Sequence, residues 1–358
     1  MTENSDILNS FRKVTGNKEA SIVSEGIEGG DVTSYISTGS YLLNAQLSGS
    51  IFKGYPKNKT FAIAGESTTG KTFIVLGMIK TFLDDHPKAF ALVFETEGAY
   101  TKDMFDERGI DSTRVLVLPV VTVQEFRHQA LNIIQDKLDT AKKDWKDIVI
   151  VLDSLGNIST EKEMEDSLAG KSTQDMTRAK LIKSVFRVLR LKTGKADIPM
   201  LLTNHTYMSM DLYPKPIMSG GRGIYYASDN IIYLTKAKEK EKKDGKDVIV
   251  GNQITCTLMK GRGTKENTKI KLLLRYDLGL NPYWGLAEMA VEMGIWHKTG
   301  NYCITAPQGQ EGVKHFFKAI YKTPEKFFTQ DVLDAIDAQI GPKFLYGSSL
   351  EMENENNE

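Results

Sequence analysis

Residues 60–72 read Thr-Phe-Ala-Ile-Ala-Gly-Glu-Ser-Thr-Thr-Gly-Lys-Thr. A short β-rich apolar run leads into Gly65-Glu66-Ser67-Thr68-Thr69-Gly70-Lys71-Thr72, and an amphipathic helical pattern continues from Lys71 to Asp85. The stretch has the form G-x-x-x-x-G-K-[ST] and the context that form needs, a strand before it and a helix after it. Glycines let the backbone curl so that successive N–H groups face phosphate oxygens, and the helix N-terminus adds partial positive charge. Lys71 is placed to reach β- and γ-oxygens, and the Thr72 hydroxyl to ligate Mg²⁺. Residues 65–72, with Phe73 in the same first turn, form the candidate ATP site.

Working outward, apolar runs of strand length alternate with helical patterns. AFALVFE (89–95) and VLVLP (115–119) precede a helix expected over 123–142; IVIVLDS (148–154), a helix over about 175–192 and PMLLTNH (199–205) follow. This alternation predicts an α/β fold with a mostly parallel central sheet flanked by helices. NIIYLT, VIVGNQITCTLMK and KIKLLLRYD (230–277) are separated by short charged turns and read as antiparallel edge strands. The run KAKEKEKKDGKD (236–247) with its Asp244-Gly245 reads as a solvated hairpin tip or as a contact for a DNA backbone or partner. Helical patterns are expected at 284–293, 313–321 and 329–340. The chain divides into a small N-terminal element and linker (1–33), a core (34–296), a C-terminal helical extension (297–346) and an acidic disordered tail (347–358).

Among 358 residues, 46 Lys+Arg balance 46 Asp+Glu, and 41% are hydrophobic. This is the composition of a globular protein, so disorder and collagen are excluded. The 2 cysteines, Cys256 and Cys303, lack metal or redox spacing and read as reduced, buried side chains. With no secretory signal and no apolar run long enough to cross a bilayer, the expected location is the cytoplasm, with no membrane partner. The zero net charge hides an asymmetry, because the acidic tail offsets basic stretches in the body.

A phosphate loop acting on ATP needs a carboxylate for its metal, and Asp153, ending IVIVLD, supplies one at the carboxyl end of a buried strand. Ser154 is placed to orient Asp153 or the metal's waters. Glu95 and Glu97 end the intervening strand on one face. Glu97, nearer the ligand edge, is the candidate base, and Glu95 reads as structural or as a supporting partner of the site. Asn204 and His205 close the third central strand at the same edge, where a polar pair senses the γ-phosphate and passes its presence to the segment that follows.

Taken in order, these motifs resemble the RecA-like strand-exchange recombinases, and within them the branch found in T-even-type bacteriophages. The resemblance runs through Ile36-Ser37-Thr38-Gly39-Ser40 with Leu43-Asn44, the phosphate loop, VLDSLGN (151–157), DMTRAK (175–180), NHTY (204–207), Gly220-Gly221, YASD (226–229) and NPYWGLAEMAVEMG (281–294). It covers roughly 34–296. It implies a RecA-like ATPase core, DNA-stimulated hydrolysis of ATP to ADP and phosphate, and a helical filament on single-stranded DNA that pairs with a homologous duplex and exchanges strands. Lys71 and Thr72 then bind phosphate and Mg²⁺, Glu97 activates water, Asp153 holds the metal and His205 senses the γ-phosphate. Lys260 and Arg262 match cations that reach the ATP of the neighbouring subunit. Met104 stands where relatives often stack a Tyr on the adenine, and Thr101 where some have Asp.

The resemblance further implies two DNA-binding segments, 159–175 and 206–223. The second has support in its composition: Tyr207, Met208, Met210 and Tyr213 can stack on or wedge between bases, while Lys215 and Arg222 track phosphates beside Gly220 and Gly221. Arg178 is the DNA candidate on the helix that follows Asp175. The N-terminal segment, with Ile7, Leu8 and Phe11, is expected to dock on an adjacent subunit, and a single-strand-binding protein and a loading mediator are expected accessory partners. The acidic tail reads as solubilising or as a brake on duplex binding. Two rival functions share parts of the chemistry: a RecA-core hexameric helicase and, less favoured, a P-loop small-molecule kinase.

Overall fold

A computed structural model describes residues 3–17, 20–171 and 175–347, so the acidic tail lies outside the described residues. The elements are α1 (Glu3–Thr15), β1 (Tyr35–Ile36), α2 (Tyr41–Ser48), β2 (Tyr55–Pro56), β3 (Thr60–Gly65), α3 (Lys71–Asp85), β4 (Phe90–Glu95), α4 (Lys102–Asp106), β5 (Val115–Pro119), α5 (Val123–Asp139), β6 (Ile148–Asp153), α6 (Glu161–Leu168) and α7 (Arg178–Lys195). There follow β7 (Met200–Met208), β8 (Pro216–Met218), α8 (Arg222–Ala227), β9 (Asn230–Lys243), β10 (Lys246–Lys260), β11 (Lys269–Arg275), β12 (Gly279–Leu280), α9 (Leu286–Glu292), β13 (His297–Thr299), β14 (Tyr302–Ile304), β15 (Lys314–Phe316), α10 (Phe317–Ile320) and α11 (Gln330–Phe344).

The main sheet has the order β12-β11-β10-β9-β3-β7-β6-β4-β5. Strands from β9 to β5 in that order are parallel, and β10, β11 and β12 add antiparallel edges. The apolar runs are continuous because both faces are covered. Phe61, Ile63, Val149, Val151 and Leu201 enter one core with α3, whereas Ala62, Ala64, Ile150, Leu152, Met200 and Leu202 enter a second with α5 and α7. Period-2 alternation in the strands thus meets helical stripes on each side: Ile74, Met78 and Phe82 above, Ile182, Val185, Phe186 and Leu189 below. Both cysteines are buried and free. Among the described residues no helix is long and apolar enough to cross a membrane.

Several expected boundaries move. The helix from Val123 ends at Asp139, where Thr140 turns extended, and the helix expected from 175 runs Arg178–Lys195. Segment 159–175, expected as a loop, contains α6, because Thr160 and Glu163 form a reciprocal capping box that starts a helix. Segment 206–223 is rooted in a hairpin: β7 continues to Met208 and pairs antiparallel with β8. Residues 314–316 are not helical. They form the edge of a separate sheet β13-β14-β15, where Tyr302 opposes Phe316 with ring centroids 4.3 Å apart.

The stretch 297–346 is therefore mixed rather than helical, and it is not an appendage. Ile320, Phe328, Leu333, Ile336, Ile340 and Phe344 belong to the same core as α3. Asp337 Oδ1 accepts from Ser50 Oγ and Ile51 N, each at 2.7 Å, which fastens α11 to the end of α2.

Candidate nucleotide site and DNA-facing elements

Gly65 ends β3 beside His205 of β7, and Glu95 ends β4 beside Asp153 of β6. Parallel register alone therefore gathers these residues at the carboxyl edge of the sheet, where open α/β sheets bind ligands. A cavity of about 240 Å³ opens there, lined by Ser67, Thr68, Gly70, Lys71, Thr72, Phe73, Glu97, Asp153 and His205.

The loop needs its glycines. A Cβ on Gly65 would sit 2.7 Å from Thr69 Oγ1 and 2.8 Å from the Leu234 carbonyl, and Gly70 has φ 94. The curl leaves the first N–H groups of α3 without intrahelical partners, at the positive end of the helix. Lys71 folds back over the loop and donates to the carbonyls of Gly65 at 3.1 Å and Glu66 at 2.9 Å. Burial lowers its pKa, and the charges of Asp153 and Glu97 oppose that shift. Lys236 of β9 reaches the loop from the side, donating to Thr68 O at 3.0 Å and also to the Thr68 hydroxyl.

Asp153 is held by three hydroxyls. Thr72 donates to its Oδ2 at 2.8 Å, Tyr100 to the same oxygen at 2.7 Å, and Thr203 to Oδ1. Burial, together with the charge of Asp153, pushes the Tyr100 phenol well up, so it stays a donor. Thr72 and Asp153 form the hydroxyl–carboxylate pair that a phosphate-bound Mg²⁺ uses, its other positions being filled by phosphate and water. A hydroxyl and a carboxylate oxygen 2.8 Å apart beside the loop are oxygen donors of the kind that cation takes.

Glu97 lies just past β4, and three donors converge on its Oε1: Asn157 Nδ2 at 2.6 Å, Ser154 Oγ at 2.8 Å and His205 Nε2 at 3.1 Å. Ser154 Oγ thus bonds to Glu97 rather than to Asp153. Burial alone would raise the Glu97 pKa, but the bonds from His205 and Ser154 and the charges of His205 and Lys71 outweigh it, and the net shift is downward. Glu95 is spent locally, accepting from Tyr100 N at 3.0 Å and from Ala99 N.

Residues 5–281 match the family described as the RecA N-terminal domain. The chain belongs to the RecA family. The recombination and repair protein of Enterobacteria phage T4 is 34% identical over 260 residues, 73% of this chain and 64% of that protein. Protein RecA of Chloroherpeton thalassium is 27% identical over 323 residues, 88% of this chain and 83% of the relative. Protein RecA of Ehrlichia chaffeensis is 25% identical over 292 residues, with 79% and 76% covered. The chain thus spans slightly under two-thirds of the phage protein. The RecA-family match bears out the fold class and the recombinase resemblance read from the motifs, and it begins inside α1.

Other expected residues of this RecA-family chain have mixed placements. Tyr207, Met208, Met210, Tyr213 and Lys215 are exposed on the hairpin and turn that leave the same sheet edge. That segment is tied to β7, because Asn204 Nδ2 donates to Ser219 O at 2.8 Å and Ser219 N to His205 O at 3.0 Å. Gly220 and Gly221, with φ 84 and 75, have a packing role: a Cβ on either would come within 3.3 Å of Ile182 or Ala179 of α7. Arg222 opens α8. Arg178 is consumed internally, donating to the carbonyls of Ile158, Leu155 and Gly156; it braces the turn that carries Asn157 rather than facing outward.

Met104 does not line the phosphate cavity and packs against the core. The residue beside Phe73 is instead Arg108, its guanidinium 4.9 Å from the ring centroid. Lys260 and Arg262 lie far from this chain's own loop: Lys260 pairs with Ile231, which aligns with Ala62 near the start of β3. Lys260 donates to the carbonyls of Tyr225 and Ser228 at 2.7 Å, capping α8, and Arg262 pairs with Asp229 at 2.9 Å. Sequence reasoning missed Asn157, Tyr100, Thr203, Arg108 and Lys236. Each acts through a fold-dependent contact; VLDSLGN contains Asn157 and the Lys/Glu run contains Lys236, but neither stretch by itself tells what the side chain touches.

Proposed function

We propose that the chain is an ATP-dependent homologous-recombination protein. It assembles as a helical filament on single-stranded DNA, pairs that strand with a homologous duplex and exchanges strands while hydrolysing ATP to ADP and phosphate. The observation that carries this reading is the convergence of Lys71, Thr72, Asp153, Glu97 and His205 on one cavity, with an exposed Tyr/Met/Lys segment leaving the same edge immediately after His205.

The residues divide the work as follows. The loop N–H groups and Lys71 hold phosphate oxygens, and Thr72 with Asp153 would hold Mg²⁺, which would supply neutralising charge for them. Glu97 keeps Oε2 for a water facing the γ-phosphate, while its other oxygen is anchored. His205 has Glu97 as its partner, and a γ-phosphate within reach competes for the same ring N–H. Because His205 and Asn204 also hold Ser219, a shift of the sensor is felt at the root of the DNA segment.

Lys260 and Arg262 stand at the opposite strand edge from the loop and are assigned to the neighbouring subunit's nucleotide, so hydrolysis depends on assembly. The exposed Ile7, Leu8 and Phe11 on α1 are assigned to that subunit interface. A single-strand-binding protein and a loading mediator are the accessory partners of this reading, and the cytoplasm is its setting.

The test is steady-state ATP hydrolysis with and without poly-dT across protein concentration, with Lys71→Ala as control. Stimulation by single strands with cooperative dependence on protein concentration is expected. Turnover indifferent to DNA overturns the reading in favour of a small-molecule phosphoryl acceptor, and closed rings with duplex unwinding overturn it in favour of a helicase.

A further inference from the structure

The turn that follows β6 lies against both Glu97 and His205. Leu155–Asn157 form a single 3₁₀ turn, and Leu155 and Ile158, on either side of its tip, are buried in the second core. Their burial fixes the backbone between them, while Asn157 itself stays exposed. Gly156 lies against β7: a Cβ there would sit 2.9 Å from His205 Cδ2 and 3.2 Å from Asn204 Oδ1. A residue without a side chain lets the turn come this close. From that position Asn157 Nδ2 reaches Glu97 Oε1 at 2.6 Å, the shortest of the three bonds that oxygen accepts.

A turn this short supplies few hydrogen bonds of its own. Asn157 N donates to Ser154 O at 3.3 Å, and Arg178 takes the carbonyls around it. Arg178 Nε donates to Ile158 O at 2.9 Å, and Nη2 donates to Gly156 O at 2.9 Å and Leu155 O at 3.3 Å. The planar guanidinium presents its donors in a fixed fork, which suits three carbonyls fanned along one turn. Arg178 is placed in its own right by Asp175. That carboxylate accepts from Thr160 Oγ1 at 2.9 Å, Thr177 N at 2.8 Å and Thr177 Oγ1 at 2.7 Å, which ties the start of α7 to the residues just beyond the turn.

This bracing matters because of what His205 is asked to do. In the function proposed above, its ring N–H is contested between Glu97 and a γ-phosphate. When the phosphate takes it, Glu97 loses one of three donors, and a glutamate side chain freed of its donors regains its rotamers. A base that wanders is a poor base, since proton transfer needs the acceptor within hydrogen-bond reach of the water. Ser154 and Asn157 then remain on Oε1. Ser154 adjoins Asp153 in the chain, whereas Asn157 is held from the side of α7, through Arg178.

We propose that Asn157 is a positioning residue for hydrolysis: carried on the turn that Arg178 braces, it keeps Glu97 aimed at the attacking water after His205 turns to the γ-phosphate. This inference rests on the hydrolytic site proposed above. It adds two residues that act on turnover through Glu97, and it gives Arg178 a task inside the protein in place of a contact with DNA.

The test is ATP hydrolysis by the full-length chain with saturating poly-dT, in Asn157→Ala, Arg178→Met, Glu97→Gln and their pairwise combinations. Asn157→Ala should lower kcat by about 10–10²-fold, the cost of a misplaced reacting group, with KM for ATP within a few-fold of wild type. Arg178→Met, shown folded by its thermal melt, should lower kcat no further than Asn157→Ala does. Combining the two should add little, because they act through one contact. In a Glu97→Gln background Asn157→Ala should cost nothing more. The slope of log K against log salt for single-strand binding should be the same in Arg178→Met as in wild type. A slope reduced by about 0.7 would assign Arg178 to a DNA phosphate and overturn the brace. Wild-type kcat in Asn157→Ala, or the same fold-loss again in the Glu97→Gln background, overturns this inference alone. Wild-type turnover in Glu97→Gln overturns the base assignment in the proposed function, and this inference with it.

Discussion

His205 Nε2 lies 3.1 Å from Glu97 Oε1, an oxygen that also accepts from Asn157 and Ser154. Three donors on one oxygen fix the carboxylate plane. His205 and Glu97 are thus one hydrogen-bonded unit, and the His205 carbonyl accepts from Ser219 N at the root of the 206–223 segment.

Glu97→Gln keeps the shape and removes the base. DNA-stimulated turnover should fall by about 10²–10⁴, while nucleotide affinity, measured by equilibrium titration, stays within a few-fold of wild type. An equal loss of affinity would move Glu97 from chemistry to binding.

Ser154→Ala addresses the charge state of that base. The folded pKa of Glu97 is depressed, with Ser154 among the causes. Its carboxylate therefore adds stability above the ordinary glutamate value of 4.5, and this is lost as pH falls through the folded value. Removing the Ser154 donor should move the Glu97 titration up toward 4.5, as read by carbon NMR of the side-chain carboxyl. A titration unmoved by the substitution would show that the serine only fills space.

Lys260 and Arg262 sit at the strand edge opposite the phosphate loop, so a mixing experiment separates cis from trans action. Lys71→Ala disables a subunit's own nucleotide site, and Lys260→Ala/Arg262→Ala disables what it lends. Each variant alone should be nearly inactive, and an equal mixture should recover part of the turnover. Because Lys260 also caps α8, thermal melts must show the double variant folded. A folded double variant with full activity alone would remove both residues from catalysis.

The parts legible in the sequence are those written within a single element. The phosphate loop, Asp153 at a strand end and the alternating apolar runs each need only local spacing, and the structure brings Glu97 and His205 to them as the strand ends implied. What was not legible depends on distant register. Arg178 looked available for DNA until the 155–158 turn was seen beneath it, and the Lys/Glu run looked like a solvated tip until Arg275 and Lys318 were found holding its acids. Residues 314–316 resembled a helix because the partner that makes them a strand, Tyr302–Ile304, is encoded on the far side of a turn.

The aromatic residues of the 206–223 segment give a further prediction. Tyr207 and Tyr213 are 55% and 77% exposed, with no core contact to lose. Stacking on a base is worth about 1–3 kcal/mol, so Tyr207→Ala/Tyr213→Ala should weaken single-strand binding at least tenfold without lowering the melting temperature. DNA-independent turnover should be unchanged. A variant that binds single strands normally would leave the segment a role in spacing only.

Lys137 tests the second core rather than the site. It is buried on α5, with its ammonium 5.0 Å from the Trp145 ring centroid, and burial pushes its pKa down from 10.5 to about 8 against the pull of Asp147. Between those values the folded chain binds fewer protons at this site than the unfolded chain, so its contribution makes stability rise with pH across that window. At neutral pH the buried charge carries its full penalty. Lys137→Met keeps the length and removes the charge. The variant should have the higher urea midpoint at pH 7, and its advantage should shrink as pH climbs toward 10.5. A variant less stable than wild type at pH 7 would mean that the Trp145 face and the Asp147 charge more than offset the burial of the ammonium.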